Sequence, residues 1–479
     1  MKNVAWSLAN ALLGKGFSFI FSLIIGNLLL PGELGLFVTL LLVITYAANI
    51  FTLNMGGGLV QKMNARTGPQ EPARYFTAGL LAVLLLSLIG VTGFYLLKNP
   101  LISLFEIPGA RDVFYMTYPL LMLVMLRSYF SHVFQAEMRF RFLTLINVAA
   151  AIAQILVTLL LLFLGLDLKG VFWGLYSSAL VAILPLAYFS IKRHGFSINR
   201  HTWLHLRELA GFSTIIFAGS IAVLLDQRID LIFVAHFLDN QDVALYDYVL
   251  KFALLFVLFG GSISRVTYPR FTKAFASASE DVSHLFGFSL NFTFFFLTSA
   301  ALVFFMHAGK IIDLLLPSFY TQLVPYLLIL LVGVIPKAVV TSVGTLFTAR
   351  GMPSVSAWVN WLILTVNVLL NLLLVPRLGL YGAAIATTTS FLLKPLIMLR
   401  LIAQKLKLTY PYMRLIANFV IYIGVLVGGY WIESYWIREL ILIFYLIYTY
   451  KVFLSKFEQQ YLVNGWNRLN NKILHVIRS

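Results

Sequence analysis

The sequence predicts an all-α integral membrane protein of about fourteen transmembrane helices, built as two homologous six-helix bundles with two further helices appended. Three observations carry this expectation. Apolar windows of about 20 residues, the length that spans a hydrocarbon core as a helix, recur from end to end. Lys and Arg alternate strongly between successive connections. The first half of the chain is echoed in the second. Composition agrees, with 60% of the 479 residues hydrophobic, 11% charged and a mean hydropathy of +0.90. So few charges cannot cover the surface of a water-soluble globule of this size. The absence of cysteine excludes disulfides, thiol nucleophiles and thiolate metal sites.

The windows run roughly from 6 to 28, 36 to 59, 76 to 97, 113 to 136, 142 to 164, 170 to 191, 211 to 237, 244 to 266, 286 to 307, 322 to 348, 354 to 376, 380 to 402, 412 to 431 and 436 to 455, with ends uncertain by about four residues. The first is read as a span rather than a removed leader, because it is long and carries Lys15. Tyr430, Trp431, Tyr435 and Trp436 surround the last turn as an interfacial belt would. Of the 35 Lys and Arg, 23 fall in the termini and alternate loops on one side, six on the other, and six within the spans. Basic connections resist translocation, so the richer side is read as cytoplasmic, with both termini on it. The net charge of +17 is scattered over short loops without a nucleic-acid-binding motif, which excludes nucleic acid as a partner and makes the charge a topology signal.

The repeat is the most specific pattern. NVLLNLLLVPRLGLYGAAIATTTS, from Asn367 to Ser390, is answered by QILVTLLLLFLGLDLKGVFWGLYSS, from Gln154 to Ser178. Upstream, Gln135-Ala136-Glu137-Met138 stands to Asn147 as Ala349-Arg350-Gly351-Met352 stands to Asn360. LLLPGELGLF, ending at Phe37, matches FLDNQDVALY, ending at Tyr246. The second copy begins after an even number of spans, which makes the repeats parallel. The expected divisions are an amino-terminal bundle over 1–195, a second bundle over 196–407, helices thirteen and fourteen over 408–455, and a basic cytoplasmic tail over 456–479.

Six cations lie within the apolar windows: Lys15, Arg127, Arg228, Lys251, Lys337 and Lys394. Asp226, Asp230 and Asp247 are the acids there, too few to pair with all six. Intramembrane charge is expensive, so the surplus points to an anionic ligand. Arg127, near the middle of its span, offers a planar fork that resists deprotonation; His132 follows five residues later. Lys15 and Lys394 lie near the middles of their spans, and Lys337 follows Pro336, where a helix bends and frees a carbonyl. Lys251 sits in an outer third, where snorkelling accounts for it. In Asp226-Gln227-Arg228-Ile229-Asp230, a straight helix puts the two aspartates on one face and Arg228 far from both, at about 100° per residue. Two readings stay open: Arg228 lines a cavity while the aspartates pair with neighbours, or an aspartate is a titrating ion-coupling site. Asn360, Asn367 and Asn371 share one helix face, fitted to sugar hydroxyls or to interhelical hydrogen bonds. Tyr46, Tyr129, Tyr176 and Tyr248 are candidates for stacking on sugars, although core packing accounts for most of them.

In LPGELGLF, in VLLDQRIDLIFVAHFLDNQDVALYDY and in the Asn-x-x-x-Asn span leading to GLYGAAIAT, the chain resembles the polysaccharide transporter, or Wzx-type flippase, family over essentially its whole length. That family belongs to the superfamily containing multidrug and toxin exporters and lipid II flippases. The resemblance implies a MATE-like fold and a carrier rather than an enzyme. It implies translocation of undecaprenyl-pyrophosphate-linked oligosaccharide across the bacterial cytoplasmic (inner) membrane by alternating access, for O-antigen, capsule or exopolysaccharide assembly. It further implies a cationic cavity and a groove at the last two spans for the polyprenyl tail. A polysaccharide polymerase and a chain-length regulator are the expected protein partners. No cofactor is expected, and a proton or sodium gradient is the candidate energy source. A lipid II flippase or a multidrug exporter is the nearest alternative. The former concentrates arginines in its first two spans, where this chain has Lys15; the latter calls for an acidic cavity. A membrane-embedded polymerase or ligase would need catalytic carboxylates on outer loops, and these are too short to form such a site.

Overall fold

The computed structural model describes residues 2–64, 71–104, 111–196, 198, 200–276, 281–460 and 462–464. The described residues are helical almost throughout. In chain order the helices are α1 (Lys2–Leu28), α2 (Pro31–Thr52), α3 (Met55–Asn64), α4 (Glu71–Leu96), α5 (Lys98–Leu104), α6 (Arg111–Phe114), α7 (Thr117–Ala136), α8 (Phe140–Phe163), α9 (Asp167–His194) and α10 (Arg200–Leu225). There follow α11 (Ile229–Phe237), α12 (Asn240–Ala276), α13 (Asp281–Met306), α14 (Ala308–Leu315), α15 (Val324–Thr341), α16 (Leu346–Ala349), α17 (Pro353–Leu378), α18 (Leu380–Leu401), α19 (Tyr412–Trp431) and α20 (Tyr435–Tyr448). The backbone hydrogen bonds that lipid cannot satisfy are thus made within the segments.

Among the described residues, eleven helices are long and apolar enough to cross a membrane, or up to thirteen if each sharply bent pair counts as one span. The expected count was about fourteen. The remaining window falls on α7, whose 20 residues reach about 30 Å but include Arg127, His132 and Gln135, which lower its apolarity. The protein is a multi-pass integral membrane protein, and α7 is a comparatively polar helix of its first half.

The chain divides into two compact units, Met1–Asp247 and Tyr248–Ser479. In the first, α8 and α9 form a hairpin, α7 packs on α2, α3, α4 and α9, and α1 lies along α8. Helix α10, which the repeat assigns to the second copy, packs on α3 and α4. A Cβ at Gly58 of α3 would overlap the Ser213 hydroxyl, so the Ser213 side chain of α10 sits directly against the α3 backbone there. The two compact units divide at 247, whereas the division expected from the sequence repeat lies at 195. In the second unit α18 packs on α15 and α17, and α13 on α15, α19 and α20.

Segments that the sequence repeat matches share some local backbone features. Helix α1 ends at Leu28 and α2 begins at Pro31; α11 ends at Phe237 and α12 begins at Asn240. These are corresponding positions of the two matched segments. The turn after α7 puts Met138 at φ 56° and bonds the Arg139 amide to the Phe134 carbonyl at 2.9 Å; the turn after α16 puts Gly351 at φ 81° and bonds Met352 to Phe347 at 2.7 Å. Tyr176 of α9 donates its hydroxyl to the Met116 carbonyl, and Thr388 of α18 donates to that of Ile329 at 2.8 Å.

Candidate functional site

In the first unit a cavity of about 500 Å³ opens among α1, α7, α8 and α9, and Arg127 is its cation. Its polar wall is assembled at helical spacing. Asn10, Gly14, Phe17, Ser18 and Phe21 line it from α1, and Asn147, Ala151 and Gln154 from α8; α7 contributes Val124, Arg127, Ser128 and Ser131, and α9 Ser178. The guanidinium is held from two sides. Nη1 donates to the buried Ser178 hydroxyl at 3.1 Å and Nη2 to Asn147 Oδ1 at 3.3 Å. Asn147 in turn donates its amide to Asn10 Oδ1 at 3.0 Å, which ties α8 to α1 behind the cation.

Both partners of Arg127 are neutral, and among the described residues no carboxylate forms an ion pair with it. Its other N–H donors remain for a ligand in a half-buried, amide-rich pocket, where an interaction with phosphate oxygens is stronger than in water. Ten residues farther on, Glu137 fixes the end of this helix. Its carboxylate, 7% exposed, meets His194 Nε2 at 2.7 Å and Arg193 Nε at 3.1 Å from the end of α9, with Arg139 Nη1 at 3.6 Å. Burial pushes the Glu137 pKa up, but the His194 hydrogen bond and the charges of Arg193, His194 and Arg139 outweigh it, so the carboxyl titrates below its ordinary range.

The polar cluster at Asp226–Asp230 breaks its helix. Residues 226–228 are a turn held by bonds such as Arg228 N–H to the Leu225 carbonyl, so the straight-helix placement of Arg228 opposite the aspartates does not apply. Arg228 Nη1 instead meets Asp247 Oδ1 at 2.7 Å, with the Arg228 side chain 38% exposed and that of Asp247 1%. Asp230 is buried and accepts from the Leu231 amide at 3.0 Å and the Tyr246 hydroxyl at 3.2 Å. Asp226 is buried beside them in sequence. A second polar cavity of about 520 Å³ lies along α10, lined by Asn49, Asn54, Ser220 and Gln227. It forms where α2 gives way to α3 through Leu53 and Asn54, both at positive φ.

The other predicted residues are distributed as follows. Lys15 is on the exposed side of α1, next to Gly14 of the Arg127 cavity. Lys337 is buried in α15 with Nζ 3.3 Å from the Phe391 ring centroid, a cation–π contact within the second unit. Lys394 is half-buried on α18, and Lys251 lies over the Tyr248 ring at 4.8 Å. Asn360 is half-buried at the start of α17, whereas Asn367 and Asn371 are buried and bonded to each other, Nδ2 to Oδ1, at 2.8 Å. Tyr129 and Tyr176 are core residues whose hydroxyls bond backbone carbonyls. Sequence reasoning missed Asn10, Ser18, Asn147, Gln154 and Ser178 as cavity residues. The i, i+4, i+7 stripe of Asn147, Ala151 and Gln154 was the signal available. Among the described residues no group of three or more His, Asp and Glu is placed to hold a metal ion.

Residues 1–275 match the family model described as polysaccharide biosynthesis protein. The chain is 20% identical over 269 residues to the probable low-salt glycan biosynthesis flippase Agl15 of Haloferax volcanii, a match covering 55% of this chain and 56% of that protein. The chain therefore spans little more than half the length of that relative. Its fold is similar to that of the lipid II flippase MurJ, solved in an inward closed conformation, with TM-score 0.74 and 17% identity over 94% of this chain and 98% of that one. An inward-facing multidrug transporter of the MATE family matches with TM-score 0.64 and 14% identity over 84% and 98%. At these identities the likeness establishes the fold, and the MATE-like architecture expected from the sequence is borne out.

Proposed function

The chain belongs to the polysaccharide biosynthesis protein family, and on that premise we propose that it is a flippase for a lipid-linked oligosaccharide. In this reading Arg127 binds the pyrophosphate that joins glycan to lipid, and the surrounding amides and hydroxyls meet the first sugar. The single observation that carries the reading is a guanidinium, held by Ser178 and Asn147 and lacking a carboxylate partner among the described residues, that opens into a polar cavity within an apolar bundle. Amides at Asn49, Asn54 and Gln227 supply a second hydrogen-bonding wall for sugars. The carrier lipid is undecaprenyl pyrophosphate in the bacterial cytoplasmic membrane, and the product feeds O-antigen, capsule or exopolysaccharide assembly beside a polymerase and a chain-length regulator. Lys15 and Lys394 assist entry of the headgroup. Asp226 and Asp230 are the coupling groups for a proton or sodium gradient.

The test is selective transport in proteoliposomes of the purified full-length chain. Lipid-linked oligosaccharide headgroups reach the opposite leaflet faster than in protein-free vesicles, while lipid II and an organic cation do not. Equal movement of lipid II, or efflux of the cation without glycan movement, contradicts the proposal.

A further inference from the structure

The first unit holds a third cavity, of about 890 Å³, where α4, α5 and the start of α7 meet. Its wall is aromatic and hydroxylated. Tyr95, Tyr115 and Tyr118 converge there with Lys98, Asn99 and Ser103. Tyr95 and Tyr115 are 56% and 55% exposed, unlike Tyr129 and Tyr176 in the core. Tyr118 meets Tyr95 edge-on at 6.1 Å and rests on the buried Phe114 at 5.8 Å, which in turn stacks on Phe94. The rings are thus braced from behind and open in front. Lys98 places Nζ 4.8 Å from the Tyr95 ring centroid, so the cavity's lysine is committed to a ring face.

Tyrosines scattered singly at a membrane surface form an interfacial belt. Three that converge in a concavity, with an amide and a hydroxyl between them, form a binding surface for a ligand with both apolar and hydroxyl faces. A pyranose is such a ligand: its C–H face stacks on a ring, and its hydroxyls bond to tyrosine, Asn99 and Ser103. A lipid phosphate fits less well, since among the described residues the lining offers one lysine and no arginine. This cavity is separate from that of Arg127. On α7, Tyr118 and Arg127 are nine residues apart, about 13 Å along the axis and on opposite helix faces. The charge alternation of the loops assigns Lys98 to the outer side.

We propose that this tyrosine cavity is a glycan-binding site on the outer face, which receives the sugar portion of the substrate once the headgroup has crossed. The proposal rests on the flippase reading and adds a second site to it.

The experiment uses the full-length chain in nanodiscs of neutral lipid. The probe is a tritium-labelled oligosaccharide released by mild acid from the lipid-linked pool of the cells that make this protein, so it carries no phosphate and no lipid. Wild type binds it saturably, and Tyr95→Ala/Tyr115→Ala weakens binding about tenfold or more. Tyr118→Phe, which keeps the ring, loses a smaller part, and a monodisperse elution profile establishes that each variant is folded. Inorganic pyrophosphate binding, which reads the Arg127 cavity, is unchanged in the double variant. Absence of saturable oligosaccharide binding to wild type overturns the proposal, as does wild-type binding by the double variant. Displacement of the oligosaccharide by anionic lipid, with direct lipid binding lost in the double variant, assigns the cavity to a headgroup instead and also overturns it. Loss of pyrophosphate binding to wild type, with oligosaccharide binding intact, removes only the headgroup assignment of Arg127.

Discussion

Arg127 and Arg228 read alike in the sequence, as arginines within apolar spans, and the fold gives them different chemistry. Arg127 rests on a serine and an asparagine, whereas Arg228 meets Asp247 at 2.7 Å. If Arg127 grips phosphate as proposed, replacing it by lysine keeps the charge but loses the two-pronged grip, so translocation falls at least about tenfold with little change in thermal stability. Arg228→Ala leaves the Asp247 carboxylate buried without its guanidinium. The cost falls below the roughly 3–5 kcal/mol of a fully buried broken pair, because Arg228 is 38% exposed. Pairing it with Asp247→Ala restores much of that loss, an outcome read from thermal midpoints in a double-mutant cycle. Glu137 gives a pH signature. Its folded-state pKa is depressed, so its contribution is present above the ordinary glutamate value of about 4.3 and is lost as pH falls through the lower folded value. Glu137→Gln should therefore lower the thermal midpoint at neutral pH, and the gap from wild type should close in acid; a constant gap would contradict this assignment.

Helices were the legible level of this chain, and their interruptions were not. Apolar length placed the spans, because lipid permits little besides a helix. The breaks at Leu53–Asn54 and at Asp226–Arg228 depend on which polar groups find partners across the bundle, and hydropathy carries no such information. The same limit applies to the Arg127 cavity. The cation was evident, but Asn10, Asn147 and Ser178 acquire meaning only when three helices pack around it. Gly351 holds φ 81° and Met138 holds φ 56°, so each of these helix-ending turns puts a residue in the left-handed region. Gly351→Ala should cost about 1 kcal/mol by thermal unfolding in detergent. Gly382→Val should do more harm, since even a Cβ would overlap the Leu374 carbonyl where α18 crosses α17. Its expected outcome is a sharp loss of monodisperse protein.

At the scale of the molecule, the chain belongs to the polysaccharide biosynthesis protein family and has a MurJ- and MATE-like fold. Both compact units carry some of the intramembrane cations, but in different settings. Lys337 is spent on an aromatic face in the second unit, and Arg228 on a carboxylate in the first. Arg127 combines neutral partners, Ser178 and Asn147, with a polar cavity. Sequence gave the charge surplus, and packing selected among its members. The most direct measurement is the rate at which lipid-linked oligosaccharide headgroups reach the opposite leaflet of proteoliposomes containing equal amounts of folded wild type or Arg127→Ala. A fall to near the protein-free rate is the predicted result, and wild-type transport by Arg127→Ala would contradict the account of pyrophosphate binding.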